Sequence, residues 1–230
     1  MSSRNNIFNK IGYELIHVKE IDSTNTFLHN NYKTFLNKTI LWTDVQTNGR
    51  GRFDRVWKSD DDLIFSILYK EKYDYTILIP LSIVLSLEAL NINAKIKWPN
   101  DIYLNNKKLA GILIEDVYNI DFEASVVGIG LNYTDKTEFD GIGLNNFTNI
   151  KKEDLIILII EYFERLKLMD QEFLIDTYKK YSLILKRKIK YHDDIFYACD
   201  INLDGSLVLN KDDKYIVVRS DEIDIKSSLI

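Results

Sequence analysis

The run "YELIHVKEI", residues 13–21, alternates apolar and polar positions and predicts a half-buried strand. It stops at Asp22-Ser23-Thr24-Asn25, whose short side-chain oxygens accept the free N–H groups of a helix start. A short helix is therefore expected through "TFLHNNY". "TILWTDVQ" and "DLIFSILYK" read as strands, the second apolar enough to be buried on both faces. "TILIPLSIVLSLEALN" is apolar with helical spacing, which predicts a core helix with Pro80 in its first turn. "KIKWPNDIYLNNKKLAGILIEDVY" breaks into strand, proline turn, short strand, Asn-Asn turn and strand. "FEASVVGIGLNYT" predicts a central strand whose Gly128 and Gly130 let something approach the backbone closely. Two helices follow, "KKEDLIILIIEYFERLKLM" and "QEFLIDTYKKYSLIL". From Lys186 the pattern changes to short strands, "RKIKYH", "DIFYACDIN", "SLVLN", "KYIVVRS" and "EIDIK", with Asp204-Gly205 as a hairpin turn. The expectation is an α+β chain: residues 1–185 as a sheet packed against helices, and 186–230 as a small β domain.

Bulk composition narrows the picture. With 230 residues, 46% of them hydrophobic, the chain can bury a real core. A formal net charge of −5, with both signs scattered and no basic tail or helix, argues against a dedicated nucleic-acid binder. Cys199 is the single cysteine, which excludes a disulfide framework and a cysteine-based zinc site. His17, His29 and His192 lack metal-ligand spacing. The N-terminal stretch lacks the apolar core of a signal peptide, and the apolar runs are too short or interrupted to span a bilayer. The expected location is the cytoplasm, with no membrane partner.

Four stretches carry candidate chemistry. Ser23-Thr24-Asn25 is a helix cap, and a helix N-terminus also favours small polar acceptors. "VQTNGRGRFDRVW", residues 45–57, sets Arg50, Arg52 and Arg55 on a backbone loosened by Gly49 and Gly51. Such a loop is costly to order unless an anion arrives, and guanidinium forks suit phosphate and carboxylate oxygens. Gln46 precedes it, and Trp57 after it offers a flat face for a purine. In the third stretch, Asp101 in the turn "WPND" and a lysine of "NNKKLAG" suit phosphoryl or nucleotidyl transfer. Lys107 and Lys108 point to opposite strand faces, so pattern alone does not choose between them. The fourth, "GIGLN", reads either as a tightly packed strand or as one whose small residues floor a site edged by Asn132.

Taken in order, "DSTN", "QTNGRGRFDRVW", "KWPNDIYLNNKKLAGILIE" and "GIGLN" resemble the catalytic domain of biotin protein ligases, over about residues 13–134. The tail from Lys186 resembles that family's small C-terminal SH3-like β-barrel. The resemblance implies a mixed β-sheet packed against helices, the class II synthetase-like fold shared with lipoate ligases. It implies biotin contacts at Ser23, Thr24, Asn25, Gln46, Gly49, Arg50, Gly51, Arg52, Lys108 and Gly111. Nucleotide contacts would fall on Arg50, Arg52, Trp57, Asn100, Asp101, Lys108 and Asn132, with Asp101 also meeting Mg²⁺. Lys108, Arg50 and Asp101 would carry catalysis. The implied reaction uses Mg·ATP and biotin to form biotinyl-5′-AMP, then biotinylates a lysine of a biotin carboxyl carrier protein. The alternative is lipoate-protein ligase or octanoyltransferase-type acyl transfer, which shares the architecture and a pocket lysine. Asp54 departs from the glycine common at its position and is expected to pair with Arg52 or Arg55. Only residues 1–22 precede "STN", too few for a DNA-reading winged helix, so an enzyme without repressor activity is expected, monomeric or homodimeric.

Overall fold

The computed structural model describes residues 5–58, 61–136, 140–219, 221 and 223, apart from the side chains of 5, 6 and 54. The chain packs as two compact units, residues 1–75 with 107–157, and 76–106 with 158–230.

In the first unit, α1 (Asn5–Lys10) precedes β1 (Glu14–Ile21), α2 (Thr24–Asn31), β2 (Thr39–Gln46) and β3 (Leu63–Tyr69). The helix α1 had no clear signal in the sequence. β1 and β2 are parallel because α2 carries the chain back between them. β2 and β3 are antiparallel, and β3 pairs with β7 (Phe122–Leu131), which pairs with β6 (Lys107–Tyr118). The sheet is therefore mixed, as expected. α2 starts where the sequence placed it, with the Ser23 hydroxyl accepting from the Thr26 N–H. Its Leu28 is buried with Leu41, Leu68, Ala124 and Val126, which presses the helix onto the sheet.

The second unit holds α3 (Tyr75–Ala89) beyond its first residue, β4 (Lys95–Lys97), β5 (Asp101–Leu104) and most of α4 (Lys152–Leu166). It also contains α5 (Gln171–Tyr181) and β8 to β11 (Lys188–Tyr191, Asp194–Ile201, Leu207–Lys211, Lys214–Val218). α3 is buried at every residue from Ile77 to Val84, and its Ser82 and Ser86 hydroxyls donate to the Leu78 and Ser82 carbonyls, so neither is left without a partner. Pro80 sits one turn deeper than expected: the helix already begins at Tyr75, whose ring stacks on Tyr69 and whose hydroxyl donates to the Glu71 carbonyl. The Trp98–Asn100 turn is held twice, by Trp98 Nε1 donating to the Gly205 carbonyl and by the Tyr178 hydroxyl donating to that of Pro99.

The all-β tail is a four-stranded antiparallel sheet in the order β11-β10-β9-β8, with Gly205 at positive φ in the expected turn. Most of the fifth expected strand, "EIDIK", lies outside the described residues. The tail's strands remain consistent with an SH3-like domain.

Leu28→Ala should cost about 2–5 kcal/mol of stability, since a fully buried leucine is exchanged for a cavity beneath α2. Urea unfolding measures it; a change under 1 kcal/mol would mean α2 is not seated by this contact.

Candidate active site

The site grows from one face of the first unit's sheet. Successive strand residues alternate faces, so Gly128 and Gly130 look the same way. Register adds Ser66, opposite Gly128, and Gly111, opposite Gly130. A Cβ at Gly128 would lie 2.3 Å from Asn25 Oδ1, and one at Gly130 would lie 2.4 Å from Trp57 Cε2. These are the groups that the two glycines admit to the backbone.

From β2 to the arginine loop runs an unbroken polar row. Gln46 Oε1 receives the Thr24 N–H at 2.8 Å and lies 3.0 Å from the Thr24 hydroxyl, which also lies 2.7 Å from Ser66 Oγ. Ser66 donates to Asn25 Oδ1 at 2.7 Å, and Asn25 Nδ2 donates to Glu115 Oε2 at 2.8 Å. Arg50 Nη2 then donates to Glu115 Oε1. Each hydroxyl has one proton. Since that of Ser66 goes to Asn25, the Thr24 hydroxyl is the donor in both of its contacts, its proton shared between Gln46 Oε1 and Ser66 Oγ. Thr24, Asn25 and Ser66 are buried, so these bonds remove desolvation costs that unmade ones would carry.

The loop after β2 has structure of its own. The Trp57 N–H donates to the Gly49 carbonyl at 2.9 Å, the Gly51 N–H to that of Arg55 at 2.7 Å, and Arg50 bridges Val56. A 3-10 turn, Arg52–Asp54, closes the tip, with Phe53 at φ 55° and the Arg52 guanidinium over its ring at 4.8 Å. The sequence suggested a backbone loosened by glycine. What Gly49 supplies is space, because a Cβ there would stand 2.4 Å from the Trp57 carbonyl. The Asp54 side chain lies outside the described part, so its expected pairing with Arg52 or Arg55 does too.

Trp57 lies against Gly111 and Gly130, with the Lys108 ammonium 5.7 Å from its ring centroid. Lys107 turns away, half exposed, to Asp140 at 3.3 Å. Asn132 is buried at the end of β7; its Nδ2 donates to the Lys108 carbonyl at 3.0 Å, and its N–H to that of Leu109 at 2.8 Å. Asn132 Oδ1 and Trp57 Nε1 are buried without a hydrogen-bond partner among the described residues. The next residue, Tyr133, donates to the Ile150 carbonyl, and burial pushes its phenol up to about 12.

Thus the first unit brings together Ser23, Thr24, Asn25, Gln46, Arg50, Trp57, Lys108, Gly111 and Asn132. Gly51 and Arg52 sit at the loop tip. Asn100 and Asp101 fold with the second unit, where Asp101 stands opposite Lys97 in the β4–β5 ladder. The sequence reading missed two members of the row. Ser66 was visible as the lone polar residue of "LIFSILY", and Glu115 as the acid ending "KLAGILIE".

The model of the biotin/lipoate A/B protein ligase family matches residues 18–132, half of the chain, and the chain belongs to that family. Among curated relatives, the bifunctional ligase/repressor BirA of Bacillus spizizenii is 36% identical over 141 residues, 56% of this chain and 43% of the relative. BirA of Escherichia coli is 26% identical over 233 residues, 90% of this chain and 73% of the relative. The solved biotin protein ligase of Aquifex aeolicus in complex with biotin and ATP superposes with a TM-score of 0.74 at 25% identity, covering 91% of this chain and 97% of that one. The chain spans 38% and 43% of the lengths of two curated relatives, the chloroplastic biotin–protein ligase 1 of Arabidopsis thaliana and the Bacillus spizizenii protein.

Gly130→Ala should displace the Trp57 indole. Trp42 and Trp98 are buried elsewhere, so emission should shift to the red and iodide quenching should rise. Unchanged emission would mean that the indole does not depend on this floor.

Proposed function

We propose that the protein is a biotin protein ligase that activates biotin with Mg·ATP and passes it to a lysine of a biotin carboxyl carrier protein. The observation that carries this reading is the continuous row from Gln46 to Arg50, with Trp57 and Lys108 beside it on the same glycine-floored face. Relatives known as biotin ligases, one solved with biotin and ATP, favour biotin over lipoate.

The polar end, Ser23 to Asn25 with Gln46, suits the ureido group, which presents both N–H donors and a carbonyl. With its proton directed towards Gln46 and Ser66, the Thr24 hydroxyl offers a lone pair to an incoming N–H. Lys108 and the loop arginines face the acid end. Biotin's carboxylate attacks the α-phosphorus of ATP, the bond to the β-phosphate oxygen breaks, and pyrophosphate leaves with that electron pair. The protein needs no nucleophile of its own: it positions two anions and neutralises their mutual repulsion, which cations held in a water-poor site do well. In the second step an acceptor amine attacks the acyl carbon, forms the amide and expels AMP. A loop closed over the mixed anhydride keeps water from intercepting it.

Trp57 and Asn132 are the residues assigned to the nucleotide, the indole by stacking and the free Asn132 Oδ1 by accepting from the adenine amine. Mg²⁺ enters as part of the substrate. The described residues contain no cluster of three acidic, histidine or cysteine ligands, and a phosphate-borne Mg²⁺ needs only one or two carboxylates from the protein. Asp101 is the residue assigned to it, and Asn100 to the nucleotide beside it.

Pyrophosphate exchange should run with biotin and not with lipoate; exchange with lipoate alone would overturn the assignment. Lys108→Ala should lower biotin-dependent exchange by about 100-fold or more, because the developing charge loses its cation. Near-normal exchange would remove Lys108 from the chemistry. Arg50→Gly should uncouple the two steps, seen as ATP consumption exceeding acceptor labelling; equal stoichiometry would count against a retaining role for the loop.

A further inference from the structure

We propose that Glu115 is a positioning residue that holds Arg50 and competes with the substrate's carboxylate for it. The inference rests on the reading of the site as a biotin site, and the row itself motivates it. Arg50 already donates to a carboxylate, and that carboxylate belongs to the protein. Glu115 cannot follow the arginine when the loop moves. Its other oxygen is fixed by Asn25 Nδ2, and Asn25 is locked in turn by Ser66 and by its seat over Gly128. Gly111 and Glu115 lie an even number of residues apart on β6, so the acid stands on the same sheet face as the glycine floor.

A fixed internal acid and an incoming acid that want the same guanidinium exclude one another at that group. Arg50 must leave Glu115 before it serves an anionic guest, so the anion's apparent affinity is lowered by the stability of the internal pair. The pair is partly exposed, with side-chain accessibilities of 44% and 26%, which keeps the competition modest and the exchange reversible. In return, the pair holds the loop next to the sheet with its arginine positioned. The same row connects Thr24 and Gln46 at one end to Arg50 at the other, so the head-group contacts and the loop share one set of hydrogen bonds.

The test is calorimetric binding of biotin and of its neutral alcohol, biotinol, to the full chain and to Glu115→Gln. Glutamine keeps an oxygen for Asn25 while removing the charge opposite Arg50. Biotin should bind about two- to fivefold tighter to the variant, the range expected from losing a partly exposed pair, while biotinol is unchanged. In an Arg50→Gln background, Glu115→Gln should have no effect on biotin. If both ligands weaken together, Glu115 is only a brace, and the proposal fails; it fails equally if biotin binds the variant no tighter. Should Glu115→Gln not fold, Glu115→Asp, which draws the charge back by one methylene, must also tighten biotin selectively. If the unaltered protein binds neither ligand, the biotin reading itself falls, an outcome separate from those above.

Discussion

At positions 111, 128 and 130 the sheet must present bare backbone, and the arrangement of the site follows from that steric constraint. A methyl group at 128 would strike the Asn25 amide, and one at 130 the Trp57 indole. Asn25 reaches Glu115 only because it lies flat on the strand, and Trp57 meets Lys108 only because it does the same a residue pair further on. The strands give up side-chain packing there and gain two polar anchors and an aromatic wall, each set against rigid backbone. That suits the proposed reaction, in which two anions have to be placed correctly.

The cost of the arrangement falls on the polar row. Ser66 interrupts an otherwise apolar strand that is buried along its length, and Asn25 is buried at a helix start. Each would destabilise the fold if left unpaired. The row resolves this by making each group the partner of the next, so that truncating one member strands its neighbours. It also sets a direction, since the Ser66 proton serves Asn25 and fixes the orientation of the Thr24 hydroxyl. Apolar packing of Leu28 beneath α2 holds the helix close enough for these short bonds to form.

Much of this was legible in the sequence because strong local rules applied. The Ser23 cap, the Asn105-Asn106 turn, the strand periods and the glycine pair of "GIGLN" each depend on near neighbours. Residues whose meaning is long-range were not legible. Ser66 and Asn25 are 41 positions apart, and Glu115 and Arg50 are 65 apart, so no spacing rule could join them. The choice between Lys107 and Lys108 was open for the same reason. Once Trp57 and Asp140 are in place, the two ammonium groups separate, one over an indole and one towards solvent. Pro80 was misplaced because the helix start is set by Tyr75 stacking on Tyr69, a tertiary contact with no local signature.

The buried Asp62–Lys136 pair belongs to the same economy of position over stability. Lys136 Nζ lies 2.9 Å from Asp62 Oδ1, the side chains being 8% and 0% exposed, so both charges have been taken almost wholly out of water. Such a pair rarely stabilises a fold more than apolar residues of equal volume would. Its value here is geometric. The same Asp62 oxygen accepts the Tyr133 N–H at 3.1 Å, which ties the chain leaving β7 to the start of β3. Asn132 sits immediately before that tie, and its other side is held by the Lys108 and Leu109 carbonyls. The chain is thus clamped on both sides of one asparagine, and the oxygen left over, Oδ1, points from a fixed place. A loose strand end would satisfy that oxygen by turning it to solvent; the ion pair is what denies it that freedom.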